Sequence, residues 1–599
     1  MRAFAVLMMC AAHGAALCWA PAADAVTLTV TDEGAGPLAT VMVTQRLADP
    51  ARADASDGGY AAPGVPQKSD VQVTRFTDAR GQVELAGRGA QTSYRLRKPG
   101  FRDLALDARA GDAPLSAVML RETDPVALSE AKPANAWLGA LEVGTAEDKK
   151  HFALQCGFCH QQGSAPVRRE RTEEEWREVI QRMVGYGSRL ATDMQEKMPA
   201  TLQAGWRKLR ENPGLVGEAT PWPEALDKAT IREWPMGDAM SQLHDMLLAR
   251  NGLLYLADNI QDRLYEVNPA TGVYTVYKIP HLPEDVPGGL LAARLKAFPR
   301  HDSTSNAHSL AESPRDGHLF ITPSAQRRLV EFNPETKAFT LHQMDAGFYP
   351  HTIRVDAQDR VWFTLALSNQ IAMFDRQAGR FTLYDLPARN LRERLTTRTI
   401  GVLFKLMSWG LPLSRWLPID RESTGTPLPY GIDITPDGTV WFARLHTDEI
   451  GSIDPATGQI RLIATPFKGP RRLRADGEGN LWIVAFPESR IARYTPGTGK
   501  FDLFELPVRP VGSDTPYSLG VDKARGVIWV NGNQSDMLHA LEVATGSWRS
   551  YPLPHRVSFT RDIEVAPDGA VYTSNANFPS WHTELAEPTL IRVEPGPAP

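Results

Sequence analysis

The chain has 599 residues, a formal net charge of −5, and 47 glycines and 46 prolines spread along its whole length. That length predicts two to four domains with no shortage of core. No basic tract argues for nucleic acid, so none is expected as a partner, and the scattered Gly and Pro suit many short strands joined by turns.

Residues 1–25 read as a secretory signal: Arg2 supplies charge, AFAVLMMCAAHGAALCWA the apolar region, and Ala23-Asp24-Ala25 a small-x-small cleavage site. The apolar run is too short, and too broken by His13 and Gly14, for a membrane span. Bulky Leu17 before Cys18 counts against lipoprotein cleavage. The mature chain then begins near Val26 in the periplasm. Of four cysteines only Cys156 and Cys159 remain in it, so no disulfide framework is expected.

Residues 26–125 form the first expected domain. Alternating runs (VTLTVTD, TVMVTQR, VQVTRFTD, GQVELAG, TSYRLRKPG, AVMLRE) separated by turns such as Asp78-Ala79-Arg80-Gly81 predict a small immunoglobulin-like β-sandwich. Residues 49–70 read as a long polar loop. The Thr77, Asp78, Gly81 turn and the Tyr94, Leu96, Gly100, Phe101 ending resemble carboxypeptidase regulatory-like domains, which implies a spacer or docking role.

Residues 135–215 hold LQCGFCHQQG, the whole thiol inventory of the mature chain. Cys156 and Cys159 suit thioether bonds to the two haem vinyl groups, and His160 suits the proximal iron position. The alternatives are half a zinc site, which lacks a second ligand pair, and a redox dithiol, which needs an α/β surround. RTEEEWREVIQRMVGYG (171–187) predicts an amphipathic helix with a Thr172/Glu175 capping box and Trp176, Val179, Ile180 and Met183 on one face. A second helix begins at Thr192. Met183 is the first candidate for the distal iron ligand, and Met194 and Met198 are the alternatives. Cys156, Cys159, His160, Trp176, Ile180, Met183 and Gly187 resemble small class I cytochromes c over about residues 140–212. The resemblance implies one covalent haem c and a periplasmic electron donor or acceptor as partner.

Residues 228–599 are repetitive. PHTIRVDAQDRVWFTLALSNQIAMFDRQAGRFTLYDLP (350–387) and PYGIDITPDGTVWFARLHTDEIGSIDPATGQIRLIATP (429–466) share one frame of four strands. Its first strand starts at His244, His308, His351, Tyr430, Arg471, Tyr517 and Arg561, at intervals of 64, 43, 79, 41, 46 and 44 residues. A unit of about 40–45 residues with four strands is a propeller blade. Seven blades are therefore expected, with insertions at 283–306 and 388–425. TIREWPM (230–236) is a spare fourth strand that would close the ring on the last blade and remove an edge.

Those seven residues should converge around one mouth of the channel. Three imidazoles there are candidates for general acid/base work or for an additional metal ion, and Arg471 and Arg561 for gripping an anionic small-molecule substrate. His446 is a lesser candidate. The blade pattern P-x-G-I…DG-x-V/L-W-F…I-G-x-I-D-P-x-T-G, nearly complete in 429–462, resembles the streptogramin (virginiamycin B) lyase family. This implies the propeller fold and His-based, magnesium-assisted lyase chemistry, with His351 at one such His. Arg444 stands where those lyases often carry Glu. The 388–425 insertion is apolar and basic, too short to span a bilayer, and suited to packing on the chain, covering the channel or touching a membrane surface.

The expected molecule is multidomain and mainly β: an Ig-like sandwich, a small all-α cytochrome c domain and a seven-bladed propeller. Its expected function is that of a periplasmic haem c oxidoreductase or electron-transfer component. A magnesium-dependent C–O lyase and a non-catalytic scaffold of a redox complex are the alternatives.

Overall fold

The computed structural model describes residues 26–48, 70–86, 91–109, 114–238, 240–296, 303–411, 413, 418–421 and 425–597. The expected signal and most of the 49–70 loop lie outside them.

Strand β1 (Val26–Asp32) turns Val26, Leu28 and Val30 inward and Thr27 outward, the period of two that a half-buried strand needs. It pairs antiparallel with β4 (Gln82–Leu85) and parallel with β7 (Leu115–Met119). The facing sheet runs in the order β3 (Asp70–Phe76), β2 (Met42–Ala48), β5 (Gln91–Arg97), β6 (Leu104–Arg109). Val30, Val43, Leu96 and Met119 fill the core between the two sheets. β6 is absent from the expected strands: Asp107 and Arg109 interrupt its apolar residues, and most of it is half-buried or exposed.

Five helices follow: α1 (Pro125–Glu130), α2 (Ala134–Ala140), α3 (Ala146–Cys156), α4 (Glu173–Tyr186) and α5 (Thr192–Glu211). α4 starts at the Thr172/Glu175 capping box and stops at Gly187, whose φ of 116° suits a residue without Cβ. Trp137, Trp176, Ile180, Met194, Met198 and Trp206 share one core.

Among the described residues, seven antiparallel four-stranded units follow. Six span 243–278, 307–343, 350–385, 429–464, 470–505 and 519–552. The seventh combines Glu564–Val565, Val571–Asn575 and Thr589–Glu594 with β8 (Thr230–Pro235), which pairs along Thr589–Glu594. Each sheet's first strand neighbours the next sheet's first strand, and the last neighbours the first. The sheets therefore form a closed ring around a central channel, as a propeller does. The other edge of β8 pairs with β3 (Gln72↔Glu233, Thr74↔Ile231), so the seventh blade and the N-terminal unit share one eight-stranded sheet. Leaving the ring between the third and fourth blades, α6 (Leu391–Ser408) packs Ile400 and Phe404 against Leu291 and Phe348.

Candidate functional site

His244, His308, His351, Tyr430, Arg471, Tyr517 and Arg561 meet in one buried ring at the starts of the inner strands. The imidazoles of His244 and His308 lie 3.7 Å apart by centroid, those of His308 and His351 3.8 Å, and His351 lies 3.9 Å from the Tyr430 ring. The Tyr430 and Tyr517 hydroxyls are 2.6 Å apart. Arg471 Nη2 donates to Tyr430 Oη at 2.9 Å, and its guanidinium lies 3.5 Å over the Tyr517 ring. Arg561 Nη1 reaches Tyr517 Oη at 2.9 Å and His244 Nε2 at 3.0 Å, which closes the circle.

A second tier lies beneath. In five blades the pairing of the inner strand slips near its start, for example between Pro350 and Ile353 and between Pro470 and Leu473. Such a bulge points two consecutive side chains toward the axis. Arg471 and Arg472 both face it: Arg472 donates to Asp245 at 2.6 and 2.8 Å and to Asp562 at 3.0 Å, across the channel. Farther down, Arg474 bonds Asp562 and Arg354 bonds Asp433. Burial, and then Asp562, pushes Glu564 up to about 7.

Burial, followed by Arg561, lowers His244 to about 3. Burial and neighbouring groups likewise hold His308 and His351 well below the usual imidazole range, so all three are neutral at pH 7. Burial alone would raise Asp245, but Arg472 and then His244 outweigh it and keep the carboxyl ionised. His244, Asp245 and His308 place ligand atoms within 4.8 Å of one another. However, His244 Nδ1 already pairs with Asp245 Oδ1 at 2.8 Å, Arg561 faces its Nε2, and Arg472 bonds both Asp245 oxygens. A cation there would have to displace two guanidinium groups.

Arg471 and Arg561 are different. Among the described residues neither pairs with a carboxylate, and Arg471 Nε and Nη1 and Arg561 Nε have no hydrogen-bond partner. A buried cation without a counter-charge is costly, so the ring is electrostatically prepared for an anion.

The CGFCH turn covers this ring. Arg471 Nη2 and Arg561 Nη2 approach the carbonyls of Phe158 and Cys159, each at 3.5 Å. The Phe158 ring packs edge-on against Tyr430 and lies 4.1 Å from the Arg471 guanidinium. Gln161 Nε2 donates to Asp536 Oδ1 at 2.6 Å, Gln162 N to Gln534 Oε1 at 2.9 Å, and Asn135 N to the Gln534 carbonyl at 2.7 Å. His446 lies outside the ring, half-buried, with its Nε2 3.3 Å from Gln155 Nε2 of α3.

Cys156 and Cys159 are free thiols. Burial, and then Cys159, pushes the Cys156 thiol up to about 12. His160 Nδ1 pairs with the Gln161 carbonyl at 2.9 Å, so Nε2 is the ring nitrogen that would hold a haem iron. The donor set therefore fits haem c at Cys156, Cys159 and His160. Met183 is half-buried, while Met194 and Met198 lie within the helical core. His582 was not among the expected residues. Burial, with His160 and two arginines beside it, lowers it to about 4. Phe158, Gln161, Asp245, Arg472 and Asp562 also carry no signal in the repeat frame.

Arg444, at the position where the lyases often carry Glu, is buried and tied to Glu449 at 2.6 Å and to the Pro387 carbonyl. The Virginiamycin B lyase family model matches residues 418–578. No curated protein sequence matches the chain. Among solved structures, virginiamycin B lyase from Staphylococcus aureus is 15% identical with a TM-score of 0.45, over 61% of this chain and 99% of that one. A streptogramin B lyase structure is likewise 15% identical, with a TM-score of 0.46 over 62% of this chain and 99% of that one. These comparisons show a likeness to the Virginiamycin B lyase family over residues 418–578, within the ring of four-stranded sheets.

Proposed function

We propose that this is a periplasmic haem c protein whose propeller ring receives a small molecule and whose haem exchanges the electrons with a periplasmic partner. One observation carries the reading: the CGFCH turn is seated on the ring, with Phe158 and Cys159 in contact with Arg471 and Arg561. When bound, the haem supplies one-electron chemistry. The chain supplies Cys156, Cys159 and His160 to hold it, and Arg471 and Arg561, two guanidinium groups without a carboxylate partner among the described residues, to face negative charge on the small molecule. The stopped-flow test uses protein matured with covalent haem and a panel of small neutral and anionic reductants. Haem reduction that saturates with one reductant, and that Arg471→Met abolishes, is expected. Rates that never saturate and are the same in the variant would overturn the reading.

A second reading is favoured by the family match over 418–578: a magnesium-dependent lyase in which His351 acts. Arg444 locked to Glu449 speaks against it. Lactone opening lost in His351→Ala would support it.

No helix among the described residues is long and apolar enough to cross a membrane. The exposed residues of α6 are Leu391, Arg394, Leu395, Arg398, Val402 and Lys405, with Trp409 at its cap. They form one stripe at helical spacing without a single acid, and Lys405 lies over the Trp409 ring. That stripe suits peripheral contact with an anionic bilayer surface, its long basic chains reaching headgroups around inserted apolar ones.

A further inference from the structure

We infer that Tyr517 stands in the ring as a phenolate and is its resident base. This deepens the reading of the ring as a small-molecule site and rests on it for the identity of the partner, which would be a neutral weak acid, an alcohol, a phenol or an activated C–H compound.

The inference comes from counting protons. The two phenol oxygens, 2.6 Å apart and buried, face two N–H donors: Arg471 Nη2 at Tyr430 and Arg561 Nη1 at Tyr517. A guanidinium only donates, so among the described residues the one acceptor hydrogen-bonded to either phenol is the other phenol oxygen. Two O–H protons compete for one acceptor position, and a buried hydroxyl proton without an acceptor is expensive. Removing one proton resolves the conflict and sets a negative charge among guanidinium groups that have no carboxylate of their own.

The surroundings select which phenol gives it up. Arg471, Arg561 and Arg472 lie 3.5, 5.1 and 5.5 Å from the Tyr517 ring centroid, whereas Arg471 lies 4.8 Å from the Tyr430 ring and Arg472 is the other guanidinium acting on that phenol. The remaining titratable groups facing Tyr517 are His244, edge-on at 6.4 Å, and Asp245, which Arg472 neutralises. Burial alone would raise Tyr517, but the three arginines outweigh it and bring the phenol below its ordinary range; burial instead carries Tyr430 well above. Tyr430 then donates to the Tyr517 oxygen. In the acid–base step the substrate O–H or C–H bond breaks, its proton goes to Tyr517 Oη, and the electron pair stays on the substrate, whose new charge faces Arg471 and Arg561.

The test is an ultraviolet difference titration of the intact, fully reduced haem protein without substrate, following the phenolate band. One of the 14 tyrosines is expected to ionise well ahead of the others, below the ordinary value of about 10. That step should vanish in Tyr517→Phe, persist at higher pH in Tyr430→Phe, and move up in Arg561→Gln, with the haem spectrum unchanged in each. A single phase in which every tyrosine ionises at or above that value would overturn the inference, as would an early step that survives Tyr517→Phe. If Tyr517→Phe does not fold, the shift in Arg561→Gln decides. The early step with no reductant ever found would sink the oxidoreductase reading and leave the base standing; saturable reduction without the early step would do the reverse.

Discussion

Replacing Arg472 with Met should be among the most destabilising changes in the propeller. The guanidinium is fully buried and bridges Asp245 of the first blade and Asp562 of the seventh through contacts of 2.6–3.0 Å. Removing one partner of such a pair costs about 3–5 kcal/mol, because the partner charges stay buried and unpaired. That is roughly a hundredfold or more in the unfolding equilibrium. The pH dependence has a definite sign. In the native protein Asp245 is held well below its ordinary value, so its contribution is present above the unfolded carboxyl value of about 3.9 and is lost as pH falls through the folded one. In Arg472→Met the same carboxyl is buried without its cation and moves up, so lowering the pH protonates it and relieves the strain. Urea unfolding at pH 7.5 and pH 5 should therefore show a gap between the two proteins that narrows on acidification. The triple change Arg472→Met, Asp245→Asn, Asp562→Asn should recover most of the loss. A gap under about 1 kcal/mol, or one independent of pH, would refute the reasoning.

Asp536 Oδ1 holds Gln161 and the Ser558 amide, and burial raises its carboxyl to about 6. A carboxyl raised in the folded state contributes stability below the unfolded value that is lost as pH rises through about 6; Asp536→Asn, which keeps the acceptor, should abolish that slope and gain up to about 3 kcal/mol at pH 7, read by urea unfolding. Gly272 has φ +69°, and a Cβ there would lie 2.2 Å from Trp234 of the closing strand. Gly272→Ala should lower the calorimetric midpoint of the propeller, and an unchanged midpoint would count against tight closure. Trp409→Glu with Val402→Asp on α6 should abolish co-sedimentation with anionic vesicles while leaving the haem spectrum untouched; unchanged binding would remove the membrane contact.

The ring was legible because each blade opens at the same point of one frame, so symmetry alone gathers His244, His308, His351, Tyr430, Arg471, Tyr517 and Arg561. The second tier was not. A strand's period of two sends the residue after Arg471 away from the axis, and only the slipped pairing at Pro470–Leu473 turns Arg472 inward. The closing strand 230–236 was readable as a missing fourth strand, but nothing in β3 or β8 says that those two edges pair with each other, since edge strands do not encode their partner. The seat of Phe158 on Arg471 and Tyr430 joins residues more than 250 positions apart in different units, beyond the reach of local pattern. Capping chemistry, by contrast, is local, and Thr172, Glu175 and Gly187 bound α4 as their residue types require.

The most direct test of the central claim is the intact mass of the mature protein from cells with haem c assembly, read with its reduced-minus-oxidised spectrum. The account predicts the mass of one covalently attached haem, a c-type spectrum, and loss of both in the Cys156→Ala, Cys159→Ala double variant. A mature protein without haem mass, with both thiols open to alkylation, would contradict it.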